Sequence, residues 1–163
     1  MLDYSLVTAK AAYRPVRRDE IEILTALAAR FYDENPTVKP FCAKNIESTV
    51  DELARHPEKG TVFVIERGND LAGYAILINS WSNEYGGNIL NIDELYLLPA
   101  HRRQGIASDF IGLLSRVVPA GTVAMQLEVA HSNKSASLYK KLGFRVCRNA
   151  LMIKEIAEKQ ECK

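Results

Sequence analysis

The sequence predicts an α/β (α+β) fold in which a mixed central sheet of six to seven strands is flanked by about four helices. Three observations predict it. Helical and strand-like patterns succeed one another in the order β-α-α-β-β-β-α-β-α-β. Two of the crossovers are helical, as parallel neighbours require, while a Gly-Asn-Asp turn and a Gly-Gly pair join strands that must run antiparallel. No repeat, low-complexity tract or Pro/Gly/Ser linker divides the chain, so residues 1–163 read as one domain.

Each element has a local reason. Tyr13–Arg17 suits a short opening strand. Asp19 stands where a helix cap should, with Glu22 three residues on. Leu24, Leu27, Ala28 and Phe31 follow at helical spacing, so a helix is expected over about 19–33. The segment 33–40 holds two prolines and reads as a loop. Ile46, Val50 and Leu53 mark a second helix that His56-Pro57 should end. Thr61–Glu66 is apolar on both faces, as a central strand would be, and Gly68-Asn69-Asp70 turns the chain into a strand over Leu71–Ile78. Gly86-Gly87 suits a hairpin into a long strand, Ile89–Leu98, which Pro99 ends because it cannot donate to a ladder. Ile106, Phe110, Leu113, Leu114 and Val117 form a helical stripe. Val123, Met125, Leu127 and Val129 alternate with Ala124, Gln126, Glu128 and Ala130, the pattern of a half-buried strand. A short helix over about 133–142 then meets Gly143, a left-handed cap, and a last strand is expected over about 144–154.

Composition narrows the function. Lys+Arg 21 against Asp+Glu 20 gives a net charge of +1, far from the basic excess of a nucleic-acid binder. The longest nearly apolar run, Leu71–Ile78, is too short to span a bilayer, and the N-terminus lacks a signal-peptide core. Cys42, Cys147 and Cys162 are odd in number and widely spaced, which argues against a disulfide framework or a zinc site. No His pair has metal spacing either, so no metal is expected. A reducing cytoplasm is the expected compartment.

Chemistry concentrates in Asp93–Ala107, DELYLLPAHRRQGIA. A strand ends at Pro99, a basic turn follows, and a helix opens at Gly105-Ile106-Ala107. Free N–H groups and partial positive charge at a helix start make an anion site, and small residues let a phosphate approach. Neither a GxxxxGK loop nor a GxGxxG fingerprint is present, which disfavours nucleoside triphosphates and NAD. A bland reading of Arg102-Arg103 as a solvated turn stays open at this point.

The turn RRQGIA resembles the pyrophosphate motif (Gln or Arg)-x-x-Gly-x-(Gly or Ala) of the GCN5-related N-acetyltransferases (GNAT). Residues 129–144, VAHSNKSASLYKKLGF, resemble that family's V-x(3)-N-x(2)-A-x(2)-L-Y-x(3)-G-F segment. One helix and one strand separate the two motifs, and the resemblance covers a core of about 12–154. Ala107 stands where a second glycine is commoner, and a methyl group still leaves the N–H accessible.

The resemblance implies a GNAT-like domain that moves an acetyl group from acetyl-CoA to a primary amine by direct attack in a ternary complex. A small-molecule amine is the first expectation and a peptide amine the second. A rival is a regulatory module that binds acyl-CoA without turnover. By resemblance, the pantetheine arm would run beside Leu95, Tyr96 and Leu97. The pyrophosphate would sit on the amides of Arg103, Gln104, Gly105, Ile106, Ala107 and Ser108, with Arg102 and Arg103 adding positive potential. Asn133 would contact the arm, or cap its own helix together with Ser132. Tyr139 matches the family's general acid, and packing alone is its other reading.

Asp93 and Glu94 are candidate bases for the amine, with Asp93 favoured; adjacent on a strand, they should face opposite ways. A rim salt bridge is the alternative for either. By resemblance, the acceptor rim would come from the loop after the first helix and the hairpin before the long strand. These offer Tyr32, Asp33 and Glu34 with Trp81, Glu84 and Tyr85, a set that would suit a cationic amine; a solvated helix end is the other reading of Asp33-Glu34. Homodimers are common in the family.

Overall fold

Apolar residues on both faces of the central strands let one sheet carry two cores. The computed structural model describes residues 5–35, 39–130, 133, 135–148 and 150–156. The chain forms β1 (Leu6–Val7), β2 (Ala12–Pro15), a 3-10 turn at Arg18–Glu20, α1 (Ile21–Glu34) and α2 (Ala43–Arg55). Strands β3 (Gly60–Arg67), β4 (Asp70–Ser82) and β5 (Gly87–Leu97) follow. A second 3-10 turn at Pro99–His101 leads to α3 (Ile106–Val117), β6 (Thr122–Leu127) and α4 (Ala136–Lys141). The six strands lie in chain order, antiparallel from β1 to β5 and parallel between β5 and β6, so the sheet is mixed. No helix among the described residues is long and apolar enough to cross a membrane.

On one face Tyr13, Phe63, Ile65, Ala75, Leu77, Leu90 and Ile92 pack with Phe110, Ile111 and Leu114 of α3. On the other, Val62, Tyr74, Ile76 and Tyr96 meet Leu24, Leu27 and Ala28 of α1 and Ile46, Val50 and Leu53 of α2. The face changes along β5. Leu90 and Ile92 point to the α3 side, whereas Glu94 is buried and Tyr96 points to the α1/α2 side. The cause is a register shift. Ile76 pairs with Glu94 and Leu77 with Ile92, leaving Asp93 opposite no residue of β4. One extra residue is a β-bulge, which reverses the side-chain alternation beyond it and bends the strand. The expectation that simple alternation sorts Asp93 and Glu94 is therefore corrected: the bulge carries Glu94 to the α1/α2 face.

Other expectations need correction too. Asp19 is not the cap of the first helix. The carboxylate of Glu20 accepts from the Arg17 amide at 2.9 Å and from the Arg14 guanidinium, which also binds Glu66. Two-residue β1, paired to β2, went unread because it is too short for a period. The strand expected over 144–154 does not form: 144–148 and 150–156 join no ladder. Val146, Leu151, Met152 and Ile153 stand exposed, since alternation records sidedness and not the presence of a partner edge. Cys42 is disulfide-bonded, against the expectation from spacing, while Cys147 is exposed with a free thiol. Distance along the chain does not measure the separation of Cβ atoms that a bridge requires. Cys162 and Ser132 lie outside the described residues.

Gly73 threads β4 between β3 and β5, where a Cβ would overlap the carbonyl oxygen of Tyr96. Backbone cannot give way as a flexible side chain can. Gly73→Ala is therefore expected to destabilise the fold by about 3 kcal/mol, read as a lowered urea midpoint at unchanged slope.

Candidate active site

The site follows from where β5 and β6 part. Their parallel ladder runs from Asn88–Thr122 to Ile92–Leu127, and β5 continues to Leu97 paired only with β4. Leu98 N–H donates to Ala72 O at 2.9 Å, which directs the polar groups of alternate residues to β4 and those of Leu95 and Leu97 to the unpaired edge. An extended chain could pair with that edge.

Just beyond it lies the basic turn. Arg103 has φ 59° and Gly105 φ 80°, both left-handed, and Gly105 occupies the N-cap of α3. The first amide of α3 to bond back to the turn is that of Asp109, to Gly105 O at 2.9 Å. The amides of Ile106, Ala107 and Ser108 thus stand at the open end of the helix, with the dipole's positive end. Gln104 Nε2 donates to Ala100 O and ties the turn to itself. His101 Nδ1 is buried without a hydrogen-bond partner among the described residues. The unpaired edge, the left-handed pair and the open amides together fit a long ligand with a diphosphate. The α3 face beside that edge is mainly apolar, with Leu95, Leu97 and Tyr139 packed against its core.

Each nominated side chain has a definite place. Arg102 turns away from the helix start: Nε donates to Leu97 O at 2.7 Å, Nη2 meets Glu34, and the guanidinium lies 5.2 Å from the centre of the Tyr96 ring. Arg103 is exposed. Glu34 also accepts from Tyr96 Oη at 2.8 Å; this bond, with Arg102, holds its carboxyl below the ordinary range. Asn133 closes its own turn through Ser135 N–H, and its Nδ2 donates to Asn35 Oδ1 at 3.1 Å, so α4's approach is tied to the end of α1. Tyr139 is half-buried with its ring edge-on to Phe144, and burial pushes its phenol up.

Glu94 lies between two tyrosines. Tyr32 Oη donates to one carboxylate oxygen at 3.0 Å and Tyr74 Oη to the other. Burial raises the Glu94 carboxyl and outweighs these bonds, which favour its charged form. Asp93 stands exposed at the bulge and accepts from Asn91 at 3.3 Å. The protein crowded around its carboxyl still strips enough water to raise it.

Trp81 and Tyr85 do not join this group. Trp81 pairs with Asn88, five ladder steps or roughly 16 Å from the Ile76–Glu94 pair, and both rings are mostly exposed. Sequence reading missed Tyr74, although a tyrosine inside the apolar run LAGYAIL has a hydroxyl that needs a partner when buried. It also missed Lys10, for which no signal existed. The Lys10 amine reaches so close to the helix start that a Cβ on Gly105 would come within 2.5 Å of it. Among the described residues, no cluster of three His, Cys, Asp or Glu could hold a metal ion.

Comparison with known proteins agrees with the geometry. Residues 58–146 match the model of the acetyltransferase (GNAT) domain. A possible acetyltransferase from Clostridium difficile 630 superposes with a TM-score of 0.76 at 20% identity, covering 91% of this chain and 99% of that one. An aminoglycoside N-acetyltransferase in complex with CoA gives 0.71 at 15%, covering 94% and 97%. A ribosomal-protein-alanine N-acetyltransferase from Brucella melitensis biovar Abortus 2308 gives 0.71 at 14%, covering 90% and 99%. Comparison with curated proteins gives no significant match.

A carboxyl whose pKa is raised on folding stabilises the native state below its unfolded pKa and loses that contribution as pH rises through the folded value. Glu94→Gln removes this loss. Urea midpoints from pH 4 to pH 8 are expected to fall more steeply in the parent than in the variant, with the gap opening above the ordinary carboxylate range.

Proposed function

The chain belongs to the GNAT acetyltransferase family, and on that premise we propose that it transfers an acetyl group from acetyl-CoA to the nitrogen of a primary amine. The observation that carries the proposal is the parting of β5 from β6 directly before the open helix start. The thioester of acetyl-CoA supplies the activated acyl group. Leu95 and the Leu97 N–H take the arm along the free edge, while Leu97 O stays with Arg102. The amides of Ile106, Ala107 and Ser108 take the diphosphate, with charge from Arg103 and Lys10. Arg102 acts as a positioning residue that fixes the turn to Leu97 and Glu34.

An alkyl ammonium must lose a proton before its nitrogen can attack. Asp93, at the bulge and open to solvent, accepts that proton directly or through a water. Glu94, with both oxygens engaged by tyrosine hydroxyls, keeps negative potential beside the acceptor. As nitrogen bonds to the acyl carbon, the carbon–sulfur bond breaks, the sulfur takes a proton from Tyr139 Oη, and the nitrogen sheds its remaining extra proton to water, from which the phenolate is reprotonated. A phenol raised by burial stays protonated at neutral pH and remains available as that donor. Two of the similar structures are named for different acceptors, an aminoglycoside and a ribosomal-protein alanine, so the fold leaves the amine open.

The test follows free thiol with acetyl-CoA and a panel of amines. Amine-dependent release is expected, and Tyr139→Phe should lower kcat by about a hundredfold or more while leaving calorimetric CoA affinity unchanged. Asp93 predicts a rate that rises with pH as its raised carboxyl ionises, and Asp93→Asn should remove that limb. Cofactor uptake without release across the panel would favour a binding module.

A further inference from the structure

Between the loop that follows α1 and the start of α2 lies a groove of about 300 Å³. Tyr32, Pro40, Phe41, Ile46 and Ile153 supply most of its wall. The Tyr32 and Phe41 rings lie 5.5 Å apart. Tyr32 belongs to two structures at once: its ring lines the groove, and its hydroxyl bonds Glu94. The charge of Asp93 also acts on that hydroxyl. One side of the groove therefore leads to the two carboxylates through a single side chain.

Charge along the groove is sparse. Lys39, on its lining, is paired with Glu155 at 3.4 Å, and no carboxylate lines it among the described residues. Glu34, nominated to attract a cationic acceptor, is already matched by Arg102 and Tyr96. Among the described residues a second ammonium group on the acceptor would meet only Glu155, already paired with Lys39, and would have to shed water for it, a cost that burial of apolar surface does not carry. The volume lies at the small end of ligand pockets and suits a compact acceptor better than a multi-ring polyamine sugar.

Resting on the transfer reaction proposed above, we infer that the acceptor is a small monoamine whose body is apolar, an aryl or branched alkyl group seated in this groove with its nitrogen toward Asp93 and Glu94. The amine takes its polarity from one end only, and the rest of the molecule replaces water against Tyr32, Phe41 and Ile46.

The experiment compares 2-phenylethylamine and isopentylamine with methylamine, spermidine, an aminoglycoside and an alanine-terminated peptide. Thiol release is measured with acetyl-CoA present. The two apolar amines should exceed the others in kcat/KM by about tenfold or more. Asn45 is exposed and lines the groove, so Asn45→Trp fills it without opening a core position. The ratio of kcat/KM for phenylethylamine over methylamine should then fall about tenfold. Calorimetry of 2-phenylethylamine with the parent, alone and saturated with CoA, reads the groove without turnover. Preference for spermidine, the aminoglycoside or the peptide overturns the inference while the transfer reaction stands. So does failure of phenylethylamine to bind in both calorimetric arms at millimolar concentration. Amine binding that Asn45→Trp abolishes, with no thiol release from any amine, supports the groove and overturns the transfer reaction instead.

Discussion

One unpaired residue in the β4–β5 ladder governs the geometry of the site. A strand that kept its register through Asp93 would carry Glu94 and Tyr96 toward α3, into a core built from Phe110, Ile111 and Leu114. A carboxylate there would meet no hydroxyl. The bulge sends Glu94 to the other face, between Tyr32 and Tyr74, and bends β5 at the place where its pairing with β6 ends. An antiparallel ladder on one edge and a free edge on the other are thus obtained from the same four residues, 94–97. The site needs both, since one edge holds the strand rigid and the other leaves its amides available.

Burial of Glu94 is tolerated because its two oxygens have separate donors. An ionised carboxylate in an apolar surround is costly, and hydrogen bonds from hydroxyls recover part of that cost. The remainder appears as a raised carboxyl. Glu34 shows the opposite balance. Exposed to water and flanked by Tyr96 and Arg102, it is held in its charged form. Two carboxylates, on β5 and at the end of α1, therefore take different electrostatic roles from surroundings that the chain itself supplies.

Much of this architecture was legible in the sequence. Leu24, Leu27 and Ala28 on α1, the α3 stripe and the apolar runs of β3 and β4 declare their elements by pattern alone, and Leu24, Leu27, Ala28, Ile106, Phe110, Leu114, Val62–Ile65 and Ala72–Leu77 are buried or nearly so. The RRQGIA turn disclosed the helix start through the positions of its small residues. Side-chain direction was not legible. Arg102 was read by its charge, yet its guanidinium is consumed by Leu97 O and Glu34, partners five and 68 positions away along the chain. The bulge was hidden as well, because Ile-Asp-Glu-Leu reads equally well in either register. Trp81 was grouped with Tyr32 from the family's usual placing of the acceptor pocket, and only the ladder reveals how many steps separate Trp81 from Glu94. The expected strand over 144–154 failed for a related reason: pattern describes a segment, and pairing describes two.

Arg102 links parts of the molecule that different pressures would otherwise shape independently. Its backbone belongs to the turn before α3, while its guanidinium grips the end of a helix whose Tyr32 lines the groove beside α2. A mutation at Glu34 would therefore loosen the brace on the turn before α3 as well as alter the end of α1. Divergence toward a new acceptor must then leave this clasp in place or find a substitute for it. That favours change through the distant wall of the groove, at Phe41 or Asn45, over change at the end of α1.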